Sequence, residues 1–93
     1  MNISFDQTVR VAPEVLVSEL DGESVILNLR SETYFGLDRV GTRMWLVATA
    51  AASIGEAFEA LREEFDVEPD TLKGDLVALL ENLCAQGLLE VRG

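Results

Sequence analysis

The chain has 93 residues, of which 17 are Asp or Glu, seven are Lys or Arg and none is His, so its formal net charge is −10. Hydrophobic residues make up 48% of the chain, enough for one small folded domain, which argues against global disorder. A chain this acidic repels nucleic-acid phosphates and anionic membrane surfaces, and no apolar run is long enough for a membrane helix. We therefore expect the protein to bind neither nucleic acid nor a membrane. A start without a signal-peptide pattern and a lone cysteine, which rules out an internal disulfide, fit a cytoplasmic protein.

Strand-forming segments come first in the chain. Residues 1–12 form an N-terminal segment whose weak alternation could hold an extra strand before Pro13. Beyond it, Asp21-Gly22 is a two-residue turn of the kind favoured in tight hairpins, and residues 30–32 form a second, polar turn. These turns separate three segments that predict an antiparallel meander: Val15–Leu20, Glu23–Leu29 and Thr33–Leu37.

Helical patterns fill the rest of the chain. Asp38 is a suitable N-cap for a first helix over residues 39–50, and Ser53 with Glu56 fits a capping box that opens a second. Pro69 suits the first turn of a third helix, which Gly87 would end. Leucines recur in that helix at the spacing of a buried face, namely Leu72, Leu76, Leu79, Leu80 and Leu83. An apolar tail follows at residues 88–91, and the whole pattern predicts an α+β fold.

The usual catalytic and metal-binding groups are scarce. Without histidine and with one cysteine, the chain cannot assemble the common zinc sets, a Ser-His-Asp triad or a Cys-His pair. The glycines match no phosphate-binding spacing. We interpret Cys84 as a small buried hydrophobe and Trp45 as a residue that packs the first helix on the sheet. The sequence therefore predicts a binding protein with no metal or cofactor, rather than an enzyme.

The segment Thr33–Leu37 is an edge strand of the predicted meander. An edge strand presents unpaired N–H and C=O groups, and this one has neither the lysine nor the proline that commonly blocks pairing with another strand. Two interpretations are equally compatible with this feature. The edge could pair with an extended peptide, or it could be inert, either because it is short or because the N-terminal segment covers it.

The chain resembles the PqqD-like domain, also called the RiPP recognition element, over residues 13–91, in the runs VLVSELDGESVILNLRSETYFGLDRVGTRMW, IGEAFEALREEFDV and DTLKGDLVALLENLCAQGLLEV. The shared features are the hairpin, the Tyr-x-Gly-Leu-Asp corner at residues 34–38, Trp45, the break at residues 65–67, and a third helix with Asp75 that ends in Gly87-Leu88-Leu89. Each feature is weak alone, and their order and spacing carry the resemblance.

The resemblance implies a winged helix-turn-helix-like fold, three antiparallel strands followed by three helices, that binds leader peptides of ribosomally made, post-translationally modified peptides. The leader adds beside the third strand and lies against the third helix. The implied contacts are Thr33, Tyr34, Phe35 and Gly36 on the strand, and Leu72, Asp75, Leu76, Leu79, Asn82 and Leu83 on the helix. Some of these leucines must hold the core instead. Asp75 and Asn82 are seven positions apart and share a helix face.

The corner at residues 34–38 is most similar to the lasso-peptide branch of that family. There the domain presents the precursor to a transglutaminase-like cysteine protease, and an ATP-dependent cyclase closes the ring. The pyrroloquinoline quinone branch, in which the partner is a radical SAM enzyme, is the alternative. A DNA-binding winged helix is disfavoured because the third helix is acidic. An oligomerisation adaptor that uses the leucine helix as its interface also remains open.

Overall fold

The structure, a computed structural model, describes residues 3–93 as five strands and three helices. In chain order these are β1 (Thr8–Val11), β2 (Val15–Leu20), β3 (Glu23–Asn28), β4 (Thr33–Leu37), α1 (Arg39–Ala50), α2 (Ile54–Glu64), α3 (Pro69–Ala85) and β5 (Leu89–Arg92). The predicted α+β architecture, a three-stranded antiparallel meander followed by three helices, is confirmed. No helix within these residues combines the length and the apolarity needed to cross a bilayer.

Strands β2, β3 and β4 form the meander in that spatial order. Both residues of the turn between β2 and β3 have positive φ, 56° at Asp21 and 83° at Gly22, as a type I′ turn requires. Strand β3 ends at Asn28, one residue earlier than predicted. The prediction was wrong at Leu29, where the chain enters the turn toward β4: the Asn28 side chain accepts hydrogen bonds from the N–H groups of Arg30 and Ser31, while the Leu29 N–H still bonds to the Glu14 carbonyl beside β2.

The N-terminal segment pairs with the end of the chain. Strands β1 and β5 form a separate antiparallel pair, in which Val9 lies opposite Val91. The carbonyl groups of Phe5 and Gln7 accept hydrogen bonds from the first N–H groups of α2, at Gly55 and Ile54. Since residues 3–12 pair with β5 and α2, they do not cover the outer edge of β4; residues 1 and 2 of the predicted segment lie outside the described residues.

The helices begin where the sequence predicts. The Asp38 side chain accepts from the Gly41 N–H at 2.8 Å and caps α1, and the Ser53 hydroxyl accepts from the Glu56 N–H at 3.1 Å and caps α2. Trp45 is buried in the hydrophobic cluster that joins α1 to the sheets, which agrees with its predicted packing role. A single hydrophobic cluster joins all three helices to both sheets, with Ile26, Ile54, Leu61, Leu76, Leu80, Leu83 and Leu88 at its centre.

Candidate functional site

Strand β4 is the open edge of the meander. It pairs with β3 on one side, and no strand of residues 3–93 pairs with its other side. Its five residues contain neither lysine nor proline, and they follow directly on the ordered turn at residues 29–32. The structure thus offers a short, unblocked strand edge, the feature that an added strand needs.

The pairing register fixes which peptide groups of β4 point outward. In a two-residue hairpin the flanking residues, here Leu20 and Glu23, form a hydrogen-bonded pair, and such pairs alternate along an antiparallel ladder. The bond from the Leu29 N–H to the Glu14 carbonyl, at 2.9 Å, agrees with that alternation. Carried across to β4, the alternation directs Thr33, Phe35 and Leu37 toward β3. The N–H and C=O groups of Tyr34 and Gly36 therefore face away from the sheet.

The two faces of β4 differ in character. Phe35 lies on the inner face and packs half-buried against the core, opposite Ile26. Tyr34 lies on the outer face, where 75% of its surface is exposed, in one cross-strand row with Leu27 and Leu16. A peptide added at this edge would therefore meet a core-backed aromatic ring on one face and an exposed one on the other.

The outer face of the meander is apolar for a surface in water. Its members are Leu16, Ser18, Leu20, Glu23, Val25, Leu27, Tyr34 and Gly36, and we use the name outer face for this set. One of the eight carries a charge, in a chain whose formal net charge is −10. A depression of about 550 Å³ opens beside Gly36, where a Cβ would meet nothing within 4 Å. A solvated face of an antiparallel sheet is normally polar, so this face has the character of an interaction surface.

Helix α3 separates the six helix residues implied by the resemblance into two groups. Leu72, Leu76 and Leu83 lie in the core with 0–2% of their surface exposed, so they hold α3 in place and do not line an open wall. Leu79 is half-buried, and Asp75 and Asn82 are exposed. These last three residues lie along one flank of the helix, which we call the α3 shoulder.

Asp75 is the charged member of the α3 shoulder. No basic group of residues 3–93 lies within ion-pair distance of its carboxylate, whereas five of the arginines are paired with glutamates elsewhere. The negative charge of Asp75 is thus uncompensated at short range. An exposed carboxylate of this kind can accept hydrogen bonds from a basic or amide group of a bound peptide.

Cys84 is half-buried beside the core on the opposite flank of α3. Burial, with a smaller contribution from the nearby Glu81 carboxylate, raises the pKa of the Cys84 thiol. Since the thiolate is the nucleophilic form, this environment does not activate the side chain. Cys84 is thus half-buried rather than buried as predicted, and its packing beside the core agrees with its interpretation as a small hydrophobe.

Sequence reasoning missed Asn28, which the structure places beneath the start of β4. Asn28 is buried, lies opposite Thr33 in the β3–β4 register, and donates a hydrogen bond from Nδ2 to the Gly87 carbonyl at 3.0 Å. This bond attaches the C-terminal end of α3 to the inner face of the sheet. No hydrogen bond in residues 3–93 joins the α3 shoulder directly to residues 33–36, so Asn28 is the polar link between the strand and the helix.

Comparisons with known proteins agree with this fold. The family model for coenzyme PQQ synthesis protein D (PqqD) matches residues 23–89, from the start of β3 to the start of β5. The chain is therefore a small α+β domain of the PqqD class, and its sheet has an open strand edge. The chain belongs to the PqqD family. No curated protein sequence matches it.

Two solved structures resemble the chain over most of its length. One is TbiB1 in complex with the TbiA(beta) leader peptide, with a TM-score of 0.80 and 34% identity, covering 87% of this chain and 94% of that chain. The other is lasso peptide synthetase B1 complexed with its leader peptide, with a TM-score of 0.78 and 26% identity, covering 88% of this chain and 96% of that chain. Both are complexes in which a protein of this fold holds a leader peptide.

Proposed function

We propose that this protein recognises the leader of a ribosomally made precursor peptide and presents it for processing in lasso peptide biosynthesis. The observation that carries the proposal is the open edge of β4, with outward peptide groups at Tyr34 and Gly36, in a chain similar to two proteins solved with leader peptides. Residues 13–91 would form the peptide-binding domain, and residues 1–12 would buttress it through β1.

The leader would bind as a fourth strand of the meander. Residues 33–36 of β4 would form the backbone ladder, with the N–H and C=O groups of Tyr34 and Gly36 bonding to the leader. Each such bond contributes about 0.5–1.5 kcal/mol net, so two outward residues give a modest affinity that side-chain contacts must complete. Strand addition takes affinity from the backbone and specificity from neighbouring side chains.

The second wall of the leader-binding groove would be the α3 shoulder. We use the name groove for the space bounded by the β4 edge, the inner-face side chains of Thr33 and Phe35, and the α3 shoulder. Leu79 would contact an apolar leader residue, while Asp75 and Asn82 would bind basic or amide groups. Leu72, Leu76 and Leu83 would act indirectly, by holding the shoulder in place from the core.

A partner enzyme would carry out the chemistry, and this chain would be non-catalytic and need no cofactor. In the lasso pathway the partners would be a transglutaminase-like cysteine protease and an ATP-dependent cyclase. The apolar outer face supports a protein partner, because contiguous exposed apolar side chains such as Leu16, Leu20 and Val25 are typical of interaction sites. The alternative is a precursor chaperone of the pyrroloquinoline quinone pathway that works with a radical SAM enzyme, and the PQQ pathway in the name of the matching family model is the observation in its support. The genes beside this one distinguish the two pathways.

Direct binding tests the proposal. The probe is a fluorescein-labelled synthetic leader copied from the short precursor reading frame next to this gene, which we call the cognate leader. We expect its fluorescence anisotropy to saturate with a Kd in the micromolar range or tighter, and a scrambled peptide of the same composition to bind at least about tenfold more weakly. Equal binding of the two peptides would refute sequence-specific leader recognition.

The unpaired Asp75 carboxylate gives a second test of the groove. Asp75→Asn is expected to weaken binding of a leader with Lys or Arg by about 1 kcal/mol or less, since an exposed charge contact is screened by water and salt. The difference between parent and variant should shrink between 50 mM and 500 mM salt, as anisotropy titrations would show. Asp70→Asn, at the start of the same helix, is the matched control for the loss of one charge. If both variants weaken binding equally, the contact at Asp75 is not specific.

A further inference from the structure

Asn28 makes three hydrogen bonds with one buried side-chain amide. Oδ1 accepts from the backbone N–H groups of Arg30 at 2.9 Å and Ser31 at 3.2 Å. Nδ2 donates to the Gly87 carbonyl at 3.0 Å, and 9% of the residue's surface is exposed. The same amide is thus bonded to the turn that leads into β4 and to the residue that ends α3.

The turn before β4 and the end of α3, which Asn28 joins, both have a defined backbone conformation. The turn before β4 closes with a bond from the Glu32 N–H to the Asn28 carbonyl at 2.9 Å, and Glu32 has a φ of 59°. Gly87, two residues beyond the end of α3, has a φ of 74°, and the Leu88 N–H donates to the Leu83 carbonyl at 2.9 Å. A Cβ at Gly87 would lie 3.4 Å from Asn28 Nδ2, which shows that the end of the helix lies close to the Asn28 amide.

We propose that Asn28 is a positioning residue that sets the spacing between β4 and α3, and hence the width of the groove. This inference rests on the proposed function. Thr33, the first residue of β4, lies directly opposite Asn28, and Asn82 of the α3 shoulder precedes Gly87 by about one and a half helical turns. A leader that pairs with β4 and also contacts the α3 shoulder can make both sets of contacts only if the two are the right distance apart. The amide that joins the walls therefore controls affinity without touching the peptide.

A second buried polar contact on the same face of β3 provides the matched control. The hydroxyls of Ser24 and Thr42 are 2.7 Å apart and connect the opposite end of the inner face to α1. Loss of this contact should destabilise the protein to a degree similar to loss of the Asn28 tether, because both bonds are buried. The Thr42 hydroxyl also lies 3.5 Å from the Leu37 carbonyl at the far end of β4. Neither contact reaches α3, so their loss should leave the spacing between α3 and the start of β4 at Thr33 unchanged.

The experiment compares Asn28→Asp with Thr42→Val in titrations of the cognate leader. Asn28→Asp keeps the acceptors for the Arg30 and Ser31 N–H groups but places an oxygen, in place of the Nδ2 donor, against the Gly87 carbonyl. Asn28→Ser, which is too short to reach Gly87, is a second variant in case the first does not fold. At a temperature where circular dichroism shows each variant to be folded, we expect both Asn28 variants to bind about tenfold more weakly. Thr42→Val should bind within about twofold of the parent while melting at a lower temperature.

The outcomes separate the two hypotheses. If the parent protein itself does not bind the cognate leader, the proposed function fails, whatever Asn28 does. If the parent binds and a folded Asn28 variant binds equally well, the positioning role is wrong and the proposed function stands. A loss of affinity in Thr42→Val as large as in the Asn28 variants would also overturn the positioning role, because the effect would then follow stability alone. Amide NMR spectra should show shifts at Gly87 and Leu88 in Asn28→Asp, and their absence would contradict a tether to α3.

Discussion

Tyr34→Pro is expected to weaken binding of the cognate leader by about 2 kcal/mol, roughly thirtyfold in Kd, without unfolding the protein. Proline removes the N–H of Tyr34, which points away from β3 and makes no ladder bond within the meander. The leader carbonyl that would accept from it then stays unpaired, and the proline ring lies in the position of the added strand. The measurement is an anisotropy titration, with circular dichroism to verify the fold.

Two neighbouring substitutions control for the side chain and for the sheet. Tyr34→Ala removes the exposed ring but keeps the backbone donor, so it should bind the leader much more tightly than Tyr34→Pro. Phe35→Pro removes an N–H that bonds to Ile26 of β3, so it should lower the melting temperature. Tyr34→Pro, which removes no bond of the meander, should lower the melting temperature far less. If Tyr34→Pro binds as tightly as the parent protein, the leader does not add as a strand at this edge.

The contrast between residues 34 and 35 shows where sequence reasoning stops. The Asp21-Gly22 turn and the alternating strands predict the meander, and they predict that the segment from Thr33 is an edge. They leave open which N–H points outward, since that depends on the register across two strand pairs. The structure gives the register from Leu20 opposite Glu23 through to Ser24 opposite Leu37. The outward direction of Tyr34 and Gly36 then follows from the geometry of the ladder.

The helix residues show a different limit. Leu72, Leu76, Leu79 and Leu83 share one helical periodicity, and periodicity alone assigns them to a single apolar stripe. Burial of three of them and half-burial of Leu79 depend on which elements pack against each side of α3. A one-dimensional pattern cannot contain that information.

Asn28 lies between these two cases. A polar residue on the same strand face as Ile26 is visible in the sequence, and a buried asparagine must find hydrogen-bond partners. Its partner on α3, Gly87, is 59 positions away along the chain. No local pattern connects the two residues, so the link between the walls of the groove emerges only from the packed fold.

Leaving this protein out of a reconstituted processing reaction is expected to slow cleavage of the leader more than any single substitution in the protein does. With precursor peptide, partner protease and no recognition protein, cleavage of the leader should fall at least about tenfold, because tethering raises the local concentration of the precursor at the protease. Addition of the purified protein in trans should restore the rate, with half-maximal recovery near the Kd for the cognate leader. Tyr34→Pro should restore the cleavage rate only at a concentration higher than that of the parent protein, in proportion to its weaker Kd. Tyr34→Ala, which keeps the backbone donor, should restore the rate at a much lower concentration than Tyr34→Pro.

The same reaction tests whether this chain makes or breaks bonds itself. Precursor incubated with the purified protein alone, followed by mass spectrometry, should keep its mass unchanged, because the Cys84 thiol is not activated and the chain has no histidine to act as a base. A specific cleavage or mass change in that sample would overturn the non-catalytic role. A protease that processes its precursor at full rate without this protein would overturn presentation, even if leader binding is tight. Recovery by the parent but not by Tyr34→Pro at equal concentration would trace presentation to the open edge of β4, since the two proteins differ by the backbone donor and ring of a single residue on that edge.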